Sequence, residues 1–234
     1  MISYDEDIFV SQNAIRDTNM LDDINTKMKD FLKEKNTTFK RTDNCLHHIL
    51  VYDKYILNDI LDIIANEPCV KEYFKTGFIM HSCGAVINKP NKQSYTHNWH
   101  VDTYEPENDK MMLNVLVPLC DFTKENGCTK IFPKNSKKHI DILLKTGDIL
   151  FFNSGLMHCT GENTTSQERN CLTITLVKMY MKPQFNYLSL FTDKEIEQMS
   201  PIIKRLINYD SNVVSNLQDF YNKKSIFIEK NRFK

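Results

Sequence analysis

Residues 97–104 read His-Asn-Trp-His-Val-Asp-Thr-Tyr, and the way this stretch is read decides the fold. Run extended, it projects His100 and Asp102 from one face, because side chains on a strand repeat every two residues. An imidazole and a carboxylate then converge on one point. They are two of the three donors in the two-histidine, one-carboxylate arrangement that holds non-haem iron(II) and leaves open positions for chemistry. Alone the pair is weak: with 7 His and 18 Asp in 234 residues, roughly 0.5 His-x-Asp triplets arise by chance. A third donor is needed downstream, on another strand, so the reading commits the surrounding chain to β structure.

The flanking sequence agrees. Residues 111–119 form a strongly apolar run with one polar member, Asn114, and 128–132, 149–153, 158–160 and 169–181 also read as extended. Turn signals separate them at Lys124-Glu125-Asn126-Gly127 and Lys145-Thr146-Gly147-Asp148. Several short strands at close spacing predict a sandwich or barrel. Upstream, 78–87 is β-like with an interruption at Gly84, and the polar segment 88–98 reads as a mobile flap ahead of the opening stretch.

Outside this region the period is helical. Met20, Leu21, Ile24, Met28, Phe31 and Leu32 predict a helix over 19–34; a second is expected over 53–65, and Pro68 opens a short third to residue 73. After Pro183 the pattern is helical again, with Thr192 as a cap and Pro201 as a break before residue 206. From residue 209 a polar tail with interspersed aromatics is expected to lie over the core. The expectation is therefore one domain over 1–234: a mostly helical layer (1–76), a mainly β core (77–182), and a C-terminal helix and tail (183–234), with helices buttressing the β core.

Composition narrows the function. Thirty basic and thirty acidic residues cancel and neither sign forms a block, which gives no support to nucleic-acid or membrane-surface binding. No apolar run approaches the roughly 18 residues a bilayer span needs. The seven cysteines are odd in number and contain no Cys-x-x-Cys pair, so neither a disulfide framework nor a thiolate zinc site is expected, and a reduced cytoplasmic setting fits. The sequon-like Asn163-Thr164-Thr165 reads as coincidence in a chain with no secretion signal. Nothing in the sequence specifies an oligomeric state.

Downstream of Asp102 only His139 and His158 are available as the third donor. His139, within Lys137-Lys138-His139, is expected to face solvent. His158 follows the apolar strand 149–153 and precedes a hairpin turn at Gly161-Glu162-Asn163, so it is chosen. Thr160 shares its face two residues on, and Arg169 opens the strand across the turn. A guanidinium suits a bidentate grip on a carboxylate, to which a neighbouring hydroxyl adds a further hydrogen bond.

The ordered set His100-Val101-Asp102, His158 and Arg169 resembles the phytanoyl-CoA dioxygenase family of iron(II)- and 2-oxoglutarate-dependent oxygenases. Glu125-Asn126-Gly127-Cys128 running on to Pro133, and Gly147-Asp148 with Phe151 and Phe152, strengthen the likeness, which covers about residues 77–182. The resemblance implies a double-stranded β-helix, or jelly-roll, core. It implies iron(II) on His100, Asp102 and His158, with the distal carboxylate of 2-oxoglutarate on Arg169 and Thr160. Dioxygen is the second co-substrate, and hydroxylation of a small metabolite or carrier-linked intermediate releases succinate and carbon dioxide. Asn114 is expected among the co-substrate contacts of the pocket wall; Gln93, Trp99 and Tyr104 are expected substrate contacts, with Tyr95 and His97 on the flap. For His97 a purely structural role is favoured. A halogenating relative would lack the carboxylate, so Asp102 implies hydroxylation or a related oxidation. One departure is Pro133-Lys134-Asn135-Ser136-Lys137, which stands where Pro-Gly-Ser-His is common.

Two alternatives separate by experiment. A cupin-type metal enzyme without an oxo-acid co-substrate would turn over regardless of 2-oxoglutarate, and a non-catalytic jelly-roll binding protein would take up no iron(II).

Overall fold

The computed structural model describes residues 1–40, 44–103, 110–209, 217, 218 and 221. Its elements run β1 (Ile2–Asp5), β2 (Ile8–Ser11), α1 (Thr18–Phe39), β3 (Cys45–His47), α2 (Asn58–Asn66), α3 (Pro68–Phe74), β4 (Phe78–Asn88), β5 (Met112–Pro118), β6 (Thr129–Ile131), β7 (Ile140–Ile142), β8 (Ile149–Asn153), β9 (His158–Thr160), β10 (Arg169–Lys178), α4 (Asp193–Gln198) and α5 (Pro201–Leu206). They make two antiparallel sheets, one of seven strands ordered β1-β2-β8-β5-β10-β4-β3 and one of three ordered β7-β6-β9.

Strand parity places the core. On β5 and β10, Leu113, Val115, Val117, Leu172, Ile174 and Leu176 turn outward and join the helices in one buried cluster. The alternate residues, among them Asn114, Leu116, Cys171, Thr173 and Thr175, face a cavity. A second cluster, including Ile131, Ile142, Leu150 and Phe152, combines side chains of both sheets. Helices on one face and the small sheet on the other leave the large sheet covered on both sides, which is why its central strands read as nearly unbroken apolar runs.

The predicted helices are present with shifted ends. Asp17 caps α1 by accepting from the Asn19 amide at 3.1 Å. The helix runs past residue 34 because Lys35 continues the buried face of Met28 and Leu32 and donates its Nζ to the Cys45 carbonyl at 2.6 Å. α2 begins at Asn58 instead of residue 53: the Asp53 carboxylate accepts the Tyr55 amide and draws the chain into a turn. β1, β2, β3 and β7 were not anticipated. They are three or four residues long, and β1 and β2 add a hairpin that pairs with β8 to a first third that is otherwise mainly helical. The tail beyond residue 209 lies almost wholly outside the described residues.

Two turns hold the cavity in shape. Gly127 takes a φ of +79°, and a Cβ there would lie 2.1 Å from the Gly161 carbonyl oxygen. Gly127→Ala is therefore expected to lower stability by more than about 2 kcal/mol in chemical denaturation. Asn163 is buried and its amide donates to the carbonyls of Asn88 and Gln167 at 2.9 and 2.8 Å, so the sequon nitrogen is already committed within the fold.

Residues 183–187 return to the sheet through Tyr187. Its hydroxyl accepts from the Cys83 amide at 3.0 Å and shares a 2.8 Å hydrogen bond with His48 Nδ1, whose direction follows the imidazole tautomer. Burial, with His47 and His81 nearby, lowers the His48 pKa below its ordinary 6.5. A depressed histidine pKa gives stability that is complete above the unfolded value and lost as pH falls through the folded one. The melting temperature is thus expected to drop between about pH 7 and pH 5, with a shallower slope in His48→Gln; an unchanged slope would separate His48 from the acid transition.

Candidate active site

His100 and His158 are brought together by the backbone. Their amides and carbonyls exchange hydrogen bonds of 3.0 and 2.9 Å, an isolated antiparallel bridge that adds a single residue pair to the edge of the three-stranded sheet beyond β9. The opening stretch is therefore one bridge residue and irregular chain, not the strand its alternation suggested. Asp102 nevertheless reaches the histidines because its amide is anchored on the Ser154 carbonyl at 3.0 Å.

The histidines are oriented alike. His100 Nδ1 lies 2.7 Å from the Asn98 carbonyl and His158 Nδ1 lies 2.9 Å from the Leu156 carbonyl, in each case two residues back. A carbonyl only accepts, so both Nδ1 atoms carry the proton and both Nε2 lone pairs face inward. His100 Nε2 is 3.7 Å from Asp102 Oδ1, and His158 Nε2 is 3.5 Å from Asp102 Oδ2. One donor atom from each residue lies within 4.8 Å of the others, a set that fits a divalent metal ion. Burial lowers the pKa of His158, opposed by the Asp102 charge, and keeps the imidazole neutral as a ligand must be.

Arg169 lines the same cavity of about 310 Å³ and is 1% exposed. Its Cζ stands 4.3 Å from the Phe122 ring centroid and its Nη1 lies 3.6 Å from the Cys171 sulfur. Burial pushes the Cys171 thiol up, so it stays neutral and does not offset the cation. Nε and Nη2 of Arg169 are buried without a hydrogen-bond partner. A buried guanidinium with two idle donors is costly unless an anion meets it, and the planar fork suits a carboxylate. The cavity thus fits a metal ion at one place and an anionic small molecule at another.

The other expected residues divide. Thr160 lines the cavity beside its cross-strand partner Thr129, and Asn114 lies on the floor, where its Nδ2 donates to Asp102 Oδ2 at 2.5 Å. Tyr95 lines the rim. Gln93 is exposed and stands outside the cavity lining, before the short 3₁₀ turn Tyr95–His97 from which Tyr95 and Thr96 line it. Trp99 is 41% exposed and packs on Phe132, ring centroids 4.8 Å apart, outside the cavity lining. His97 accepts the Ser94 amide on Nδ1 at 2.8 Å and caps that turn, a structural role. His139 is exposed, as expected. Tyr104 lies outside the described residues. Sequence reasoning missed Phe122, Cys171 and Thr175; the last two carry a signal, since they follow Arg169 at the strand period of two.

Comparison with known proteins accounts for this combination. The family model described as phytanoyl-CoA dioxygenase (PhyH) matches residues 3–171. The chain belongs to that family. Among the relatives of this phytanoyl-CoA dioxygenase family member, "Dioxygenase sphC" of Aspergillus fumigatus is 25% identical over 191 residues, covering 74% of this chain and 52% of that protein. "Dioxygenase FUM3" of Gibberella moniliformis is 26% identical over 164 residues, covering 62% and 55% respectively. The chain spans about half the length of these relatives. Among solved structures, the non-heme alpha ketoglutarate dependent epimerase SnoN superposes with a TM-score of 0.60 at 14% identity over 74% of this chain and 80% of that one. HygX from Streptomyces hygroscopicus, solved with nickel and 2-oxoglutarate bound, gives 0.57 at 10% identity over 75% and 84%. These likenesses show the fold, and the two facing sheets are the double-stranded β-helix the sequence predicted. In the departing segment, Asn135 takes a left-handed φ of 62°, the conformation a glycine would serve at that turn.

Proposed function

We propose that this chain is an iron(II)- and 2-oxoglutarate-dependent dioxygenase that hydroxylates a small metabolite or carrier-linked intermediate. The observation that carries the reading is the pairing, in one cavity, of the three inward-facing donors with a buried guanidinium that meets no carboxylate among the described residues. His100, Asp102 and His158 would hold the metal, and Arg169 with Thr160 the distal carboxylate of the co-substrate. Bound there, iron(II) supplies oxidation by dioxygen, with 2-oxoglutarate leaving as succinate and carbon dioxide and the second oxygen atom entering a C–H bond of the substrate.

The chain's own part is placement. The carbonyls of Asn98 and Leu156 keep both imidazoles in the tautomer that presents Nε2. Leu116 and Phe152 give the cavity an apolar wall, which strengthens the Arg169 grip by lowering the local dielectric. A cupin-type enzyme without an oxo-acid leaves the Arg169 donors unexplained. The free thiols, six of the seven buried, accord with a reducing cytoplasmic setting.

The test is an anaerobic titration with iron(II) and 2-oxoglutarate, followed by aerobic assay of succinate. A visible charge-transfer band that requires both components, and succinate that requires oxygen as well, are expected. Iron uptake with no band and no succinate would leave a metal-binding jelly roll of another kind.

A further inference from the structure

We infer that Asn114 and Thr175 are positioning residues that hold Asp102 as a one-oxygen ligand. The inference rests on the iron(II) site proposed above. Thr175 on β10 and Asn114 on β5 are directly paired across the sheet. Asn114 Nδ2 donates to Asp102 Oδ2 at 2.5 Å, and Thr175 Oγ1 donates to Asn114 Oδ1 at 3.3 Å. The direction of this chain is fixed at one end. A carboxylate accepts only, so the amide must turn its NH₂ toward Asp102; its carbonyl then faces Thr175, whose hydroxyl must donate.

Asp102 needs such a hold. It lies on irregular chain, anchored through its backbone on Ser154, and its side chain is 40% exposed. Among the described residues, Asn114 supplies the one hydrogen bond its carboxylate receives. With Oδ2 engaged, Oδ1 is the oxygen left for a metal. One oxygen from Asp102 and one nitrogen from each histidine leave three positions on a six-coordinate ion, as many as a chelating oxo-acid and dioxygen require. A carboxylate free to bind through both oxygens would fill one of them.

Metal binding without turnover tests this, with cobalt(II) as a coloured probe beside anaerobic iron(II). Asn114→Ala is expected to weaken both ions by about 10–100-fold and to change the cobalt visible spectrum, since oriented partners of metal ligands carry effects of that size. Thr175→Val should move affinity and spectrum the same way by a smaller factor, and Thr175→Ser should restore both. Wild-type affinity and spectrum in Asn114→Ala overturn the inference, and so does Thr175→Ser behaving like Thr175→Val, which would assign the effect to methyl packing. If Asn114→Ala fails to fold, the Thr175 pair decides alone. A wild-type chain that takes up neither ion overturns the metal site itself, an outcome distinct from either variant result.

Discussion

Arg169→Met is expected to weaken 2-oxoglutarate binding by at least about 30-fold while leaving the metal-free fold at least as stable as before. The guanidinium is 1% exposed, and its Nε and Nη2 have no partner. Desolvating an ion costs several kcal/mol, and exchanging buried charge for an apolar side chain of similar volume is often neutral or stabilising by about 1–4 kcal/mol. The Phe122 ring, already stacked on Arg169, offers methionine a favourable neighbour. Truncating one partner of a buried charge pair costs about 2–5 kcal/mol, a loss of roughly 30-fold to several thousand-fold in affinity. In thermal melts with iron(II), 2-oxoglutarate at 100 times the native Kd should stabilise the native chain by about 2.7 kcal/mol and the variant by less than about 1 kcal/mol. Undiminished stabilisation in the variant would remove Arg169 from the co-substrate site.

Loss of the late imidazole should be equally plain. His158→Ala is expected to reduce iron(II) affinity by more than the roughly 10–100-fold that follows from losing a group hydrogen-bonded to a metal ligand, and to end succinate formation. The fold should persist, because the bridge to His100 uses backbone atoms of residue 158 and not its ring. His139→Gln is the control: that imidazole is exposed and packs on Trp99 and Phe132 outside the cavity. Anaerobic equilibrium dialysis gives both affinities. Iron uptake lost equally in the two variants would mean that His158 has no special place in the site.

What could be read from the sequence follows from which interactions are local. β8 appears with the predicted bounds because its apolar run follows the Gly147-Asp148 turn, and β9 because the Gly161 turn marks its end. His100, Asp102, His158 and Arg169 were legible as an ordered set, and the structure brings them to one cavity. β1, β2, β3 and β7 were hidden because a strand of three or four residues shows too little alternation to be read unless turn signals flank it, as they do β6 and β9. The placement of Gln93 and Trp99 outside the cavity lining was hidden for a related reason: the 3₁₀ turn and the Phe132 ring lie beside them, and neither is announced by local pattern. Phe122 under Arg169 was unreadable, since 47 positions of chain separate two groups that meet only once the strands pair.

The alternation along β10 has a consequence of its own. Leu172, Ile174 and Leu176 answer to the helices, while Arg169, Cys171, Thr173 and Thr175 answer to the cavity, and the strand between them is a thin partition. Thr173 stands on the inner side, away from the proposed ligand contacts, so an exchange there meets the chamber first and reaches the packed layer behind it only through the strand's backbone. Such a wall lets the family member acquire a new clientele while its scaffold stays still.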